Sequence, residues 1–482
     1  MFALTGVAKR KYAVFGLGAT GQAAAAALVN ADAEVYSWDE ARGARAAADE
    51  TTYPCSHPKE WPWSELQAVV LSPGVPLTHP EPHVIVRKAR QENVPVIGDI
   101  ELFARTVGAT AKDARPCVVA VTGSNGKSTT TALIGHILRE AGRKVHVGGN
   151  IGEPVLRLPP PTPDATYVLE LSSYQLDLCE SLKANSAVFL NLSPDHLDRH
   201  GSMEAYFAAK RRIFANQTAD DLAVIGVDDV YAQAACAELA QEDRARVTPI
   251  SSKGALGRGV FALNGKLYYR LGEKTGEAGD ISGVATLAGG HNQQNAAAAL
   301  AVAIDMGVAP AVAIRSMERF KGLPHRSEII ARQDGVLFVN DSKATNAAAA
   351  AQSLSAYDEV FWIAGGRAKE GGLAALRQEM PRVRAAYLIG EAGSAIEEEL
   401  GGYVRCVQCG GLDRAVATAI NDAFAAPAPA ADVKRAVLLA PGCASHDQFR
   451  NFEDRGEAFR LAVQTRLAER VADASSDNGE AA

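Results

Sequence analysis

The chain is 482 residues long and 47% hydrophobic, with a net charge of −7 and 22% charged residues. That length allows about three domains, each with its own core, while the mild acidity and the lack of a basic run exclude a nucleic-acid footprint or an anionic-membrane footprint. No stretch reaches the roughly 18 apolar residues of a membrane span, the start has no apolar signal core, and the seven scattered cysteines do not make a disulfide framework, so the expectation is a cytoplasmic protein without membrane insertion.

Residues 11–39 predict a strand, the turn Gly16-Leu17-Gly18-Ala19-Thr20-Gly21, an Ala-rich helix to about Asn30, and a second strand from Glu34 to Trp38 that ends at Asp39. This is a βαβ unit with a full GxGxxG, whose glycines let a diphosphate approach a helix N-terminus. The glycines fit UDP and NAD alike. Tyr53 to Trp63, rich in Pro and Trp, reads as a surface loop. The apolar run Ala68 to Leu71 then reads as a buried strand stopped by Ser72-Pro73-Gly74, which places Ser72 near the ligand of Gly18, although Ser-Pro-Gly is also ordinary turn chemistry.

The pattern loosens near Val107, and a second unit opens on Val118 to Thr131, an apolar run passing through Gly123, Ser124, Asn125, Gly126, Lys127, Ser128 and Thr129 into a helix. Converging backbone N–H groups, the helix N-terminus and Lys127 make this a polyphosphate loop, with Ser128 set to hold Mg²⁺. The first glycine of the common form is replaced by Val121. Glu170 ends an apolar strand, where a carboxylate calls for a cation, and Mg²⁺ is the economical one. Asp195, His196 and Asp198 follow the next strand and suit a metal or a substrate. On helical pattern alone Lys210, beside Arg211 and Arg212, lies on a solvated face. Asn292 and Asn295 are three apart at the start of an Ala-rich helix, where amide edges can read an adenine.

Gly322-Leu-Pro324-His325-Arg326 breaks the helical pattern and sets a second boundary, with a hinge at Pro324. Beyond it, strands at 336–340, 360–364, 386–390, 403–407 and 436–439 alternate with helices, a doubly wound pattern ending in a long helix from about Gln448. Their ends carry Asp341 to Thr345, then Lys369, then Pro441 to Ser445, the default crevice of an open α/β sheet. The only Cys-x-x-Cys pair, Cys406 and Cys409, reads as accidental spacing, and the small polar tail from Ala474 reads as unstructured.

Together these pieces resemble the Mur ligases, which build the peptide of bacterial peptidoglycan. Thr122-Gly-Ser-Asn-Gly-Lys-Ser128, Glu170, Asp195-His196, His291-Asn292 to Asn295 and Leu323-Pro-His-Arg326 belong to the whole superfamily. Leu169-Glu-Leu-Ser-Ser-Tyr-Gln-Leu176, Asn340-Asp-Ser-Lys-Ala-Thr-Asn346 and Cys443 to Gly456 resemble the branch that adds D-glutamate, and the Asp-Asn-Pro-Arg signature of the diaminopimelate- or lysine-adding branch is missing. The resemblance implies an α/β chain of three domains: a Rossmann-like domain for a UDP precursor (1–107), a P-loop-type ATPase domain (108–322), and a Rossmann-like domain for the amino acid (323–482).

The implied reaction is ATP-dependent addition of D-glutamate to UDP-N-acetylmuramoyl-L-alanine through an acyl phosphate, by a cytoplasmic monomer with small-molecule partners only. The site residues themselves would fit either hand of glutamate. Lys127, His196 and Lys210 are the implied catalytic residues. One Mg²⁺ would lie on Ser128 and Glu170, and a second on His196 and a carbamylated Lys210. Gly18, Ala19, Thr20, Asp39 and Ser72 would hold the UDP end, with Asn150 and His196 on the alanine side. The loop from Gly123 to Thr129, with Asn292, Asn295, Arg326 and Asp341, would hold ATP. Thr345, Lys369, Ser445 and Phe452 would hold D-glutamate, although Arg367-Ala368 replaces an expected Asp-Gly beside Lys369.

Two other functions fit parts of the chain. A dehydrogenase built on the first βαβ unit requires NAD(P)H binding. A nucleotide sensor would use Gly126 and Gly18 but leave Glu170, His196 and Lys210 without a task.

Overall fold

The three alternations of strand and helix in the sequence become three sheets in the computed structural model, which describes residues 2–49, 53, 55–368, 372–430 and 433–477. The first sheet is parallel and contains β1 (Lys11–Phe15), β2 (Glu34–Trp38), β3 (Leu66–Leu71) and β4 (Val96–Ile97), in the order β2-β1-β3-β4. Strand order reverses between β1 and β3, so the turns after them, at Gly16 and Ser72, open on the same crevice.

The central sheet contains β5 (Cys117–Thr122), β6 (Lys144–Gly149), β7 (Ala165–Glu170), β8 (Ser186–Phe189), β9 (Leu222–Gly226), β10 (Arg246–Ser251), β11 (Gly259–Leu263), β12 (Lys266–Leu271) and β13 (Lys274–Asp280). Its order is β13-β12-β11-β10-β9-β8-β5-β7-β6, parallel from β6 to β11 and closed by the antiparallel pairs β11-β12 and β12-β13. β5 lies between β7 and β8, so the phosphate loop after β5 is flanked by the carboxyl ends of both neighbours.

The third sheet contains β14 (Glu328–Gln333), β15 (Val336–Asn340), β16 (Glu359–Gly365), β17 (Val383–Ile389), β18 (Cys406–Gly410) and β19 (Arg435–Leu439), in the order β14-β15-β19-β16-β17-β18. All pairs are parallel except β14-β15, an antiparallel edge that the sequence pattern did not announce.

Two compact units contain these sheets: residues 1–281 with 294–318, and residues 282–293 with 319–482. In the first unit one apolar core runs through both sheets, from Val14 and Val70 to Val118 and Leu169. Phe2, Phe103 and Tyr167 meet there, with ring centres 5.1 Å apart for Phe2–Phe103 and 5.2 Å for Phe103–Tyr167. The helix Asp99–Ala109 carries Phe103 into this core. In the second unit the third sheet is covered on both faces, by a core around Trp362 and Leu388 on one side and by a core around Phe338 and Phe459 on the other. Both layers of the doubly wound reading are therefore present.

Two local expectations are corrected. The Tyr53 to Trp63 stretch is not a loose surface loop: Tyr53, Trp61 and Trp63 are buried, and two 3₁₀ turns, Pro58–Glu60 and Trp63–Glu65, fold the indoles inward. The Trp61 and Trp63 N–H groups donate to the Ser56 and Pro58 carbonyls, each at 2.9 Å, so the rings are buried without stranding their donors. The final helix runs Phe452–Asp477, past Ala474, and the rest of the expected tail, 478–482, lies outside the described residues. Among the described residues no helix is long and apolar enough to cross a membrane.

Candidate active site

In the first unit, the phosphate loop joins β5 to the helix Lys127–Glu140. Gly126 caps that helix at φ 83, a left-handed conformation that favours glycine, and a Cβ there would lie 2.3 Å from Asn295 Oδ1. The buried Asn295 is thus packed against the phosphate loop. The Asn125 N–H donates to Asn191 Oδ1 at 2.9 Å, and Asn191 Nδ2 returns a bond to the Asn125 carbonyl at 3.2 Å. Ser124 Oγ donates to the Ser193 carbonyl at 3.0 Å and lies 3.2 Å from the Tyr206 hydroxyl. Thr129 is half-buried in the first helical turn.

The Lys127 amine donates to the Gly123 carbonyl at 2.8 Å and to the Ser124 carbonyl at 2.7 Å. Lys210, only 1% exposed, donates to the same Gly123 carbonyl at 2.8 Å and lies 4.7 Å from the centre of the Tyr206 ring. The solvated-face reading of Lys210 is therefore overturned: the helix Met203–Arg211 turns Tyr206 and Lys210, one turn apart, inward together. Burial pushes the Lys210 amine well below the usual lysine value, and Lys127 pushes the same way, against the pull of Asp195 and Glu170.

Glu170, buried at the end of β7, accepts a hydrogen bond from the Ser128 hydroxyl, and its Oε1 accepts from Asn150 Nδ2 at 2.7 Å. Gly149 allows this approach: at φ 99, its Cβ would lie 2.4 Å from the Glu170 carbonyl oxygen. His196 begins the short helix Leu197–His200 at φ 58, with 41% of its side chain exposed, its Nε2 3.6 Å from Asp195 Oδ2 and the Tyr174 ring 5.1 Å away. Ser128, Glu170, Asn150, Lys127, Lys210 and His196 thus all sit on or beside the carboxyl ends of β5 to β8.

On the first sheet, Gly18 caps the helix Ala19–Asn30, whose first turn holds exposed Ala19 and half-buried Thr20. Asp39 closes the glycine turn: Oδ2 accepts from the Leu17 N–H at 2.6 Å and Oδ1 from the Ala41 N–H at 2.7 Å. The Ser72 hydroxyl donates to the Gly16 carbonyl at 2.7 Å, tying the β3 turn to the β1 turn.

In the second unit, buried Asp341 directly follows β15 and accepts a hydrogen bond from the Ser353 hydroxyl. Burial raises its carboxyl above the usual value, while Ser353 and the Arg326 guanidinium pull it down. Asn292 Nδ2 donates to the Ala288 carbonyl at 2.9 Å. Thr345 is half-buried in the loop after β15, and its N–H bonds the Lys343 carbonyl at 2.8 Å. Ser445, 2% exposed, follows β19 and accepts the Phe449 N–H at 2.9 Å. Phe452 opens the last helix, its carbonyl accepting from the Ser342 hydroxyl at 2.8 Å. Lys369 lies outside the described residues.

The Mur ligase middle domain model matches residues 121–303. A UDP-N-acetylmuramoylalanine–D-glutamate ligase from Phenylobacterium zucineum is 51% identical over 98% of this chain and 100% of its own, and one from Caulobacter vibrioides is 51% identical over 96% and 97%. The chain belongs to the Mur ligase family. Solved structures agree on the fold: a UDP-N-acetylmuramate-alanine ligase from Thermotoga maritima covers 96% of this chain and 99% of its own at TM-score 0.54 and 18% identity. A pseudomurein peptide ligase from Methanothermus fervidus covers 95% and 99% at TM-score 0.54 and 16% identity.

Several side chains of this Mur ligase's site were not singled out from sequence. Asn191 and Tyr206 brace the phosphate loop from 66 and 82 residues away, a separation no local pattern reveals. Lys343 stands with its amine 3.7 Å from the centre of the Phe452 ring; its place in Asp341-Ser-Lys-Ala-Thr345, between two chosen residues, was the available signal. Cys406 and Cys409 are free thiols on β18, Cys406 packed against the core around Trp362 and Cys409 within the core around Phe338.

Proposed function

We propose that this Mur ligase adds D-glutamate to UDP-N-acetylmuramoyl-L-alanine at the expense of ATP, as a cytoplasmic monomer. The observation that carries the reading is the near-full-length 51% identity to relatives named for that reaction. Residues 1–107 are assigned to the UDP precursor through Gly18, Ala19, Thr20, Asp39 and Ser72, residues 108–322 to ATP, and residues 323–482 to the amino acid. ATP is assigned to Gly123 to Thr129 with Asn292, Asn295, Arg326 and Asp341. D-glutamate is assigned to Thr345, Lys369, Ser445 and Phe452.

A carboxylate is a poor electrophile, so the alanine carboxylate first attacks the γ-phosphorus and ADP leaves. The glutamate amine then attacks the acyl carbon, losing a proton, and phosphate leaves. Lys127, freed from the Gly123 and Ser124 carbonyls, binds the phosphates, and the loop N–H groups hold them in line. Asn150 and His196 orient the alanine end.

The residues fit magnesium. Buried Glu170 with the Ser128 hydroxyl offers hard oxygen donors, and Mg²⁺ takes only one or two carboxylates beside phosphates and water. Among the described residues no three His, Cys, Asp or Glu side chains gather as a metal cradle; on this reading substrate and a modified Lys210, with His196, would complete the shell. Burial that lowers the Lys210 amine well below the usual lysine value favours that modification, since the neutral amine is the form that adds CO₂ and loses a proton to become a carbamate. Bound Mg²⁺ would screen the charge between the γ-phosphate and the approaching carboxylate.

The test is phosphate release from ATP with UDP-N-acetylmuramoyl-L-alanine while D-Glu, L-Glu, L-Lys and meso-diaminopimelate are exchanged. Release with D-Glu alone is expected; release that depends on any of the others overturns the assignment.

A further inference from the structure

A chain of contacts joins the Ser72-Pro73-Gly74 turn of the first sheet to His196. Arg199, on the short helix that follows His196, donates Nη1 to the Gly74 carbonyl at 2.9 Å and Nη2 to the Pro73 carbonyl at 3.3 Å. Its guanidinium carbon stands 4.7 Å from the centre of the Tyr174 ring. That ring meets His196 edge-on, at 5.1 Å and 61°, and lies nearly parallel to His200, at 5.4 Å and 14°. Buried His200 is fixed in turn, with Nε2 2.9 Å from Ser173 Oγ and Nδ1 3.5 Å from Asp177 Oδ2.

The same loop meets the helix at two further points. The Thr78 hydroxyl donates to the Arg199 carbonyl at 3.4 Å, and His79 lies against Gly201, where a Cβ would come within 2.4 Å of its ring nitrogen. Tyr174 is four residues after Glu170, in the short helix Ser173–Asp177 that follows β7. Arg199 therefore touches both a turn assigned to the precursor's diphosphate end and the plate against which His196 rests. Only a planar fork with five donors can bond two carbonyls along its edge while presenting a flat face to an aromatic ring.

We propose that Arg199 is a positioning residue that sets the spacing between the diphosphate-binding turn and His196, so that one bound precursor meets both in register. It touches no reacting atom. The inference rests on the reading of the precursor under Proposed function. It predicts a selective defect: loss of Arg199 loosens the precursor's two ends relative to each other and the aim of His196, and leaves the amino-acid site on the other unit unchanged.

The test compares wild type, Arg199→Met and Arg199→Lys by steady-state kinetics in each substrate and in Mg²⁺, and by calorimetric titration with UDP-N-acetylmuramoyl-L-alanine, which needs no turnover. Losing two charge-assisted bonds and the stacked cation is expected to raise both the precursor's KM and its Kd about tenfold in Arg199→Met. The Mg²⁺ concentration for half activity is expected to rise with them, and the KM for D-glutamate to stay within about twofold. Arg199→Lys keeps charge and stem without the fork and is expected to recover little; it decides the matter should Arg199→Met fold poorly. Unchanged precursor KM and Kd in both variants, or an equal rise in the KM of every substrate, overturns the proposal. Wild type that neither binds the precursor nor turns over with it removes the reading of the reaction, and this inference with it. Turnover that survives in wild type and variants alike removes the inference alone.

Discussion

Lys127 and Lys210 donate to one acceptor, the Gly123 carbonyl, at 2.8 Å each. Two amines this close cannot both be charged cheaply away from water, and Lys210 is the one whose amine burial and its neighbour Lys127 push well below the usual lysine value. On the proposed reading the pair divides its tasks, Lys127 as the cation for phosphate and Lys210 as the amine open to modification. Lys127→Met is expected to lower phosphate release at least about 100-fold, the scale of losing a single transition-state contact in a water-poor site. Binding of the UDP precursor on the first sheet should change little. Rapid-mix phosphate detection and calorimetry check the two halves, and a parallel fall in precursor affinity would refute the division.

Gly126 supplies a second prediction. At φ 83 an alanine pays about 1–2 kcal/mol for the left-handed conformation, and its Cβ would lie 2.3 Å from Asn295 Oδ1. Asn295 is buried and has nowhere easy to move. Gly126→Ala is therefore expected to lower the melting temperature by several degrees and to weaken ATP binding about tenfold or more. Gly18→Ala is the contrast: at φ −66, with nothing within 4 Å of a Cβ, it should leave the melting temperature nearly unchanged. Equal melting temperatures for the two variants would show that the phosphate loop relaxes around Asn295 without cost.

The sequence made legible what local pattern controls. The GxGxxG turn, the phosphate loop and the carboxyl-end clusters at 341–345 and 441–445 all announce themselves because glycine placement and strand–turn–helix succession are local. Burial of Lys210 was not legible, because Lys210, Arg211 and Arg212 present three cations in a row and only the tertiary fold selects which one turns in with Tyr206. Trp61 and Trp63 were misread for a related reason: a Pro-rich stretch has no helical or strand period, yet 3₁₀ turns can still seat two indoles in the core. The braces from Asn191 and Tyr206 to the phosphate loop depend on β8 lying beside β5 and on the helix after it, which are relations between elements that no single window contains.

The helix Asp99–Ala109 begins with two buried carboxylates of opposite character, and they yield a paired pH prediction. At Glu101 burial alone would raise the carboxyl, but the Ser181 N–H and hydroxyl, Arg105 and the Glu180 N–H outweigh it and hold the group below its usual value. At Asp99 neither oxygen makes a well-formed hydrogen bond, and burial pushes the carboxyl from 3.8 up to about 6 despite the nearby Ile100 N–H and Gln175 amide. A raised carboxyl keeps its proton longer in the folded state than in the unfolded one. Its penalty is therefore absent below about pH 4, grows as pH rises toward 6, and is constant above, approaching about 3 kcal/mol as an upper figure. Asp99→Asn, uncharged at every pH, is expected to stabilise the protein at pH 7 and to lose that advantage by pH 4. Glu101 runs the other way: its contribution is full above the unfolded carboxylate value and fades as pH falls through its lowered folded value, so Glu101→Gln should destabilise most at neutral pH. Urea unfolding of the three proteins across pH 4–8 measures both slopes. An Asp99→Asn advantage that does not grow with pH would mean that Asp99 is ionised and hydrogen-bonded in the folded chain.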